Sequence, residues 1–501
     1  MRSTALVLAA AAVFTVAWLG LHPAMPQLPN GDIYTSLGVA RHLAAGDGLL
    51  NDTIYPLFTA YPWGQTMPQP LIHRPPGLAV LLLPAWWLSG GDPVAAEALV
   101  RPVMAVMLGL VALGGLVALR RLGRLPVAAA WLLLLLVNPL LALAVHWGWG
   151  EVPAMALLMV LWQMVRRRRP ADSRPHRAAL YAVLSGVLAL IRGDLLWVPV
   201  LWWFAAGLTD RRRRLQVAAT RTILAGVVGV AVLLPWWLHV TGHAGSPLSN
   251  PLTEAVQLDL SSDWWDYPLL RGREPMPLAG NLASHPLQAV HKVLVGGRSY
   301  VRTLGLWLPW YFWFLITSLW LQRVWRRQRA GVPAGRAGGP YGLLMATLVL
   351  MVVQYALFSH ETRHLLPILP LVAWEGLLLA EGAVRSIRRP ELRGVALTAM
   401  AAVALLLSPP GLGGEAGNVE TARDLAGAVA VETARVADLP PGPVFSDNAV
   451  VPWRTGRPCV WSPFDASVEA EIRRAIPAMA DAPWVRILPD GPLSPPLDRR
   501  P

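Results

Sequence analysis

The sequence predicts a polytopic α-helical membrane protein of about 11–13 transmembrane helices, with a small α/β domain at its C-terminal end. Three observations predict it. Of the 501 residues, 54% are hydrophobic and only 15% charged, where a soluble domain of this size carries about 25% charge. Apolar runs of spanning length, roughly 17–25 residues, recur from the N-terminus to about residue 410. Between them stand short arginine clusters, at 120–124, 166–169, 211–214, 323–329 and 385–393, while Lys292 is the only lysine.

The clusters set the orientation. Net charge is +13, and a basic balance can mean nucleic acid. Clusters placed between apolar runs instead mark cytoplasmic loops, so no nucleic-acid partner is expected. Residues 2–20 have a basic start and an apolar core. A cleaved signal peptide has that form, but the further spans favour an uncleaved first span. Residues 22–75 then form an outer loop rich in Pro, Tyr and Asp. Spans are expected near 95–119, 126–146, 152–165, 178–191, 195–209, 220–240, 304–322, 341–358, 365–384 and 394–410. Several are short and require tilt or local thinning. Segment 76–91 reads as re-entrant or partial, because a full crossing there would place Arg120–Arg124 outside.

The membrane domain is therefore 1–410, with outer loops 22–75 and 241–303. Residues 411–501 are Pro- and Gly-rich without a spanning run, and form the small outer domain. Within it, 419–436 reads as an amphipathic helix, and segments beginning at Pro443, Pro458 and Trp484 read as short strands. Cys459 is the single cysteine, so no disulfide forms within the chain and no cysteine-based metal site exists.

Ionisable groups at membrane depth are expensive and mark functional sites by default. On this topology Asp32, His73, Arg74, Glu151, Arg192, Asp194, Arg363 and His364 all reach the outer face. Bland readings exist for each. Asp32 can cap a helix, Arg192 and Asp194 can pair with each other, and Trp236–Trp237 can anchor the interface. Shared location on one face favours a site. A carboxylate beside a hydroxyl acts as general base, and arginines offer forked donors to phosphate.

Taken in order, these residues resemble the GT-C glycosyltransferases, in the branch of protein O-mannosyltransferases and the lipid A aminoarabinose transferase. Asp32 opens the first outer loop and is followed by Ala40, Leu43 and Gly46 in an Ala-x-x-Leu-x-x-Gly pattern. The loop closes on His73–Arg74–Pro75–Pro76–Gly77. Glu151–Val152–Pro153, Arg192, Pro235–Trp236, Gly245–Ser246–Pro247 and the RHLLPILP run at 363–370 follow in the family's order. Residues 444–463 resemble the outer domain of many bacterial members. Two departures stand out. Ile33 follows Asp32 where many members have a second acid, leaving Asp47 or Asp52 as helpers, and Arg363 is followed by His364 rather than Tyr.

The resemblance implies an enzyme of the bacterial inner membrane, N-terminus cytoplasmic and C-terminal domain periplasmic. It implies transfer of one sugar from a polyprenyl-phosphate donor to an acceptor hydroxyl on a glycolipid, polysaccharide or protein, with inversion. Asp32 is then the base, and Arg74, Arg192 and Arg363 hold the donor phosphate. His73, Glu151, Asp194, His364, Asp47 and Asp52 support the substrates. No cofactor is expected, and His73, His360 and His364 lack a compact metal-ligand spacing. The rival readings are a lipid or sugar transporter (a flippase of envelope biogenesis) and a non-catalytic scaffold. A transporter would show inverted repeats or interrupted spans, neither of which is visible in the sequence.

Overall fold

A computed structural model of the chain describes residues 2–22, 24, 31–120, 125–167, 175–208, 212–247, 278–307, 310–331, 339–358, 362–386, 425–461, 466–485 and 487. The span expected at 394–410 and the aromatic part of the second outer loop (Trp264, Trp265, Tyr267) lie outside these residues.

The segment expected as the first span is α1 (Arg2–Leu21), and a second helix, α2 (Gly31–Ala45), runs through the segment expected as the first outer loop. α3 (Gly77–Leu88) has 12 residues, about 18 Å of helix, which falls short of the roughly 30 Å hydrocarbon core. It lies against α2 and begins beside the end of α8. α4 (Pro93–Arg120) packs on α1 and on α7 (Glu151–Arg167).

The segment expected as one span at 126–146 is two helices, α5 (Leu125–Val137) and α6 (Pro139–His146), bent by 54°. Asn138 and Pro139 cause the break. Proline has no N–H to continue the helix but suits its first turn. The Asn138 side chain accepts from Leu140 N and Leu141 N at 3.1 and 3.2 Å, capping α6.

The bundle continues with α8 (Pro175–Ile191), α9 (Trp197–Leu208) and α10 (Arg212–Ala244). Then come α11 (Leu278–Ser284), α12 (Pro286–Trp307), α13 (Trp310–Arg329), α14 (Gly339–Phe358) and α15 (Leu369–Arg385). Among the described residues, 93–117, 222–244 and 339–357 are long and apolar enough to span, and the bent pair makes a fourth. Four further apolar helices are shorter. Arg166, near the end of α7, and Glu375, within α15, meet at 2.5 Å and tie the two helices together.

The α/β unit draws on segments far apart in the chain. Its four-stranded sheet has the order β2 (Thr53–Ile54), β5 (Cys459–Trp461), β4 (Val444–Ser446), β6 (Trp484–Val485), all parallel. β2 belongs to the loop that follows α2, so that loop supplies an edge strand to the C-terminal segment. A separate pair, β1 (Leu50–Asn51) and β3 (Gln69–Pro70), closes the loop on itself.

A helix over residues 425–437 is followed by Arg457, whose guanidinium donates to the carbonyls of Val436, Leu439, Pro440 and Gly442. Helix C-terminal carbonyls need such partners when buried. The unit docks on α4. Arg454 pairs with Glu97 at 3.1 Å, Tyr34 OH donates to the same carboxylate at 2.9 Å, and Trp453 donates to Pro93 O at 3.3 Å.

Candidate active site

Asp32 stands in the first turn of α2, where a carboxylate suits the helix dipole. Its Oδ1 accepts from Arg74 at 2.7 Å and from Tyr55 OH at 3.1 Å, and its Oδ2 pairs with Arg363 at 2.9 Å. Three elements thus converge on one carboxylate. Arg74 comes from the strand-to-helix turn ahead of α3, and Arg363 from the turn Thr362–Leu365 between α14 and α15. Arg363 also lies over the Trp149 ring, 5.4 Å from its centroid.

Burial alone would push the Asp32 carboxyl up, but the two guanidinium groups outweigh it and hold it well below the usual carboxylate range. The triad carries one positive charge in surplus. In this state Asp32 is a weak base, and the arginines are occupied by it.

A second cluster centres on Arg192, at the end of α8. Its Nε and Nη2 donate to the two Asp194 oxygens at 2.9 and 2.7 Å, a bidentate pair, and its Nη1 donates to Glu151 in the first turn of α7. Tyr355 OH donates to Asp194, and Gln354 donates to the Asp194 carbonyl at 3.2 Å. Two carboxylates therefore over-compensate one arginine.

The clusters are neighbours. His364 lies 4.8 Å from the Tyr355 ring and feels the charges of Arg192, Arg363, Asp194 and Asp32 together. The backbones also meet. A Cβ on Gly77 would fall 2.4 Å from the Leu190 carbonyl, and one on Gly193 would fall 3.3 Å from the Pro75 ring. Gly77 thus permits a backbone approach that holds the Arg74 turn against the Arg192 turn.

His73 is buried between Tyr55 and Phe58, ring centroids 5.5 and 4.6 Å away, and neither ring nitrogen has a hydrogen-bond partner. Burial, aided by Arg74, holds it neutral against the opposing pull of Asp32.

Asp47 and Asp52 sit elsewhere. Asp52 accepts from His42 at 2.9 Å and Arg41 at 2.7 Å, and Asp47 meets the other His42 nitrogen at 2.9 Å. His42 is ten residues beyond Asp32 on α2, about 15 Å along the axis. These acids join the far end of that helix rather than Asp32.

Four aromatic residues belong to the site beyond those expected from sequence. Tyr55 donates to Asp32, Tyr355 donates to Asp194, Trp149 faces Arg363, and Trp461 of β5 packs edge-on against Tyr55 at 5.4 Å. In a chain with 24 tryptophans aromatic span ends read first as interfacial anchors, and the Tyr-Pro pairing at Tyr55–Pro56 was the one available signal of an ordered turn. Among the described residues no group of three or more His, Cys, Asp or Glu side chains gathers in metal-binding geometry.

The described chain is thus a helical bundle with a carboxylate–arginine site and an α/β unit packed on the loop that supplies the carboxylate. No family model and no curated protein sequence matches the chain. Solved structures do. ArnT from Cupriavidus metallidurans bound to undecaprenyl phosphate covers 96% of this chain and 89% of its own, at 15% identity and TM-score 0.60. The same ArnT in the apo state covers 96% and 90%, at 17% identity and TM-score 0.55. At this identity the likeness establishes a shared fold with ArnT.

Proposed function

We propose that the protein is a glycosyltransferase that moves one sugar from a polyprenyl-phosphate carrier to an acceptor hydroxyl at the outer face of a bacterial inner membrane. The observation that carries the reading is the clamp of Arg74 and Arg363 on Asp32, in a fold shared with an ArnT that binds undecaprenyl phosphate. A lipid phosphate is the anion that such a clamp suits. Two guanidinium groups present forked donors to it, and phosphate competes with a single carboxylate for them.

The chemistry follows from that competition. As the donor phosphate takes the two arginines, Asp32 loses the charges that depress its basicity. It can then accept the proton of the acceptor hydroxyl. The acceptor oxygen forms a bond to the anomeric carbon on the face opposite the phosphate, the bond from that carbon to the phosphate oxygen breaks, and configuration inverts. The electron pair leaves with polyprenyl phosphate, whose growing charge Arg74 and Arg363 offset in place. Arg192, held between Glu151 and Asp194, borders this site and positions the sugar or acceptor. The base is thus active only when donor is present.

The test is a panel of polyprenyl-phosphate sugars offered to the purified protein in lipid nanodiscs. Donor-dependent thermal stabilisation is expected, and Arg74→Ala and Arg363→Ala should each abolish it. Stabilisation that persists in both variants would overturn the phosphate assignment.

A further inference from the structure

We infer that α12 lies in the outer membrane–water interface and that its exposed face is a docking surface for anionic phospholipid headgroups. The helix has 22 residues, about 33 Å, which is long enough to span. Its composition forbids that. His291, Lys292, Arg298 and Arg302 lie within it, and residues 278–307 contain no Asp or Glu. It is absent from the helices apolar enough to cross.

The two faces differ. Lys292, Gly296, Tyr300 and Trp307 are buried and recur at helical spacing. They seat α12 on the outer end of α14. A Cβ on Gly296 would approach Ala356 to 2.9 Å, and the Tyr300 and Tyr355 rings lie 6.3 Å apart. The opposite face exposes Leu287, Val290, Leu294 and Val301, with Leu287 at 83% and Leu294 at 68%. Along the edge of that apolar stripe run His291, Arg298 and Arg302, all exposed. None of the three makes an ion pair with a described residue.

An apolar stripe bordered by two arginines that pair with no described residue, with no acid on the helix, is what an interfacial helix presents to acyl chains and phosphate headgroups. Water alone would not favour the leucines, and a protein partner with an apolar face would leave the arginines unmatched. Charge complementarity selects an anionic lipid surface. The seat of α12 also reaches the site. Tyr300 meets Tyr355, which holds Asp194 and through it Arg192.

The experiment uses the full chain in nanodiscs, with Leu294→Cys carrying a bimane label. Cys459 does not interfere, since it is buried and its thiol is pushed up to about 12. Phospholipids brominated on their acyl chains should quench the label, whereas aqueous iodide should not. Adding phosphatidylglycerol to phosphatidylcholine should raise the acyl-chain quenching about twofold, and Arg298→Gln with Arg302→Gln should remove that increase. Val290→Cys gives a second label position should Leu294→Cys misfold. Quenching by iodide but not by brominated lipid would overturn the proposal. So would quenching indifferent to anionic lipid, or energy transfer between labels on two copies, which would make the face a protein interface.

Discussion

Asp32→Asn should have opposite effects on donor binding and on transfer. In the resting site Asp32 occupies both Arg74 and Arg363, at 2.7 and 2.9 Å, and a phosphate must displace it. Hydrogen bonds to charged groups contribute roughly 1.5–3 kcal/mol each in net terms. These side chains retain 17–28% of their exposure, so solvent screening reduces the figure, and about 1–2 kcal/mol of competition is a fair measure. Asparagine keeps the shape and loses the charge. Affinity for undecaprenyl phosphate should therefore rise about five- to thirtyfold. Transfer should fall by about 10²–10⁴, the usual contribution of a positioned base. Calorimetry with undecaprenyl phosphate in nanodiscs reads the first quantity, and single-turnover transfer from a labelled donor reads the second. A variant that binds the carrier more weakly would show that Asp32 organises the arginines instead of competing for them. Near-normal turnover would remove it from the chemistry.

Further outcomes follow from the same packing. Gly77→Ala should destabilise the protein by about 1–3 kcal/mol, because the new methyl meets the fixed Leu190 carbonyl, and thermal unfolding monitored by intrinsic fluorescence checks it; an unchanged midpoint would contradict the close approach. Cys459 should react with an aromatic disulfide at pH 8 far more slowly than an ordinary thiol, since burial raises its pKa to about 12 and leaves little thiolate; labelling as fast as that of free cysteine would contradict its burial. His42 is raised above its ordinary pKa, first by its hydrogen bond to Asp52. A raised histidine contributes stability that is full below its unfolded pKa and is lost as pH rises through the folded one. The melting temperature should accordingly fall from pH 6 towards pH 9, and His42→Phe should flatten that fall; an identical slope in the variant would contradict the linkage.

What could be read in the sequence was set by the kind of signal each feature leaves. Asp32, Arg74, Arg192 and Arg363 were legible because charge at the outer ends of apolar runs is costly and needs a reason. The placement of Asp47 and Asp52 was not, since proximity in sequence ignores the length of α2 that separates them from Asp32. Tyr55 and Tyr355 were hidden among residues that usually anchor an interface. The break at Asn138–Pro139 had a local signal in its cap and proline, but an unbroken apolar run on both sides outweighed it. β2 left no signal, because a two-residue strand has no periodicity and its partner, Cys459–Val460, lies some four hundred residues away. α12 was concealed for a related reason. A span was sought from residue 304 onward, and the cations between 291 and 302 masked an apolar stripe that only a helical projection separates from them.

The central claim is that one pair of arginines serves Asp32 at rest and lipid phosphate in the loaded state. An experimental structure with undecaprenyl phosphate bound decides it. The phosphate should lie within hydrogen-bonding distance of both Arg74 and Arg363, with the Asp32 carboxylate released from them and facing the open side. A phosphate seated elsewhere, with both Asp32 ion pairs intact, would contradict it.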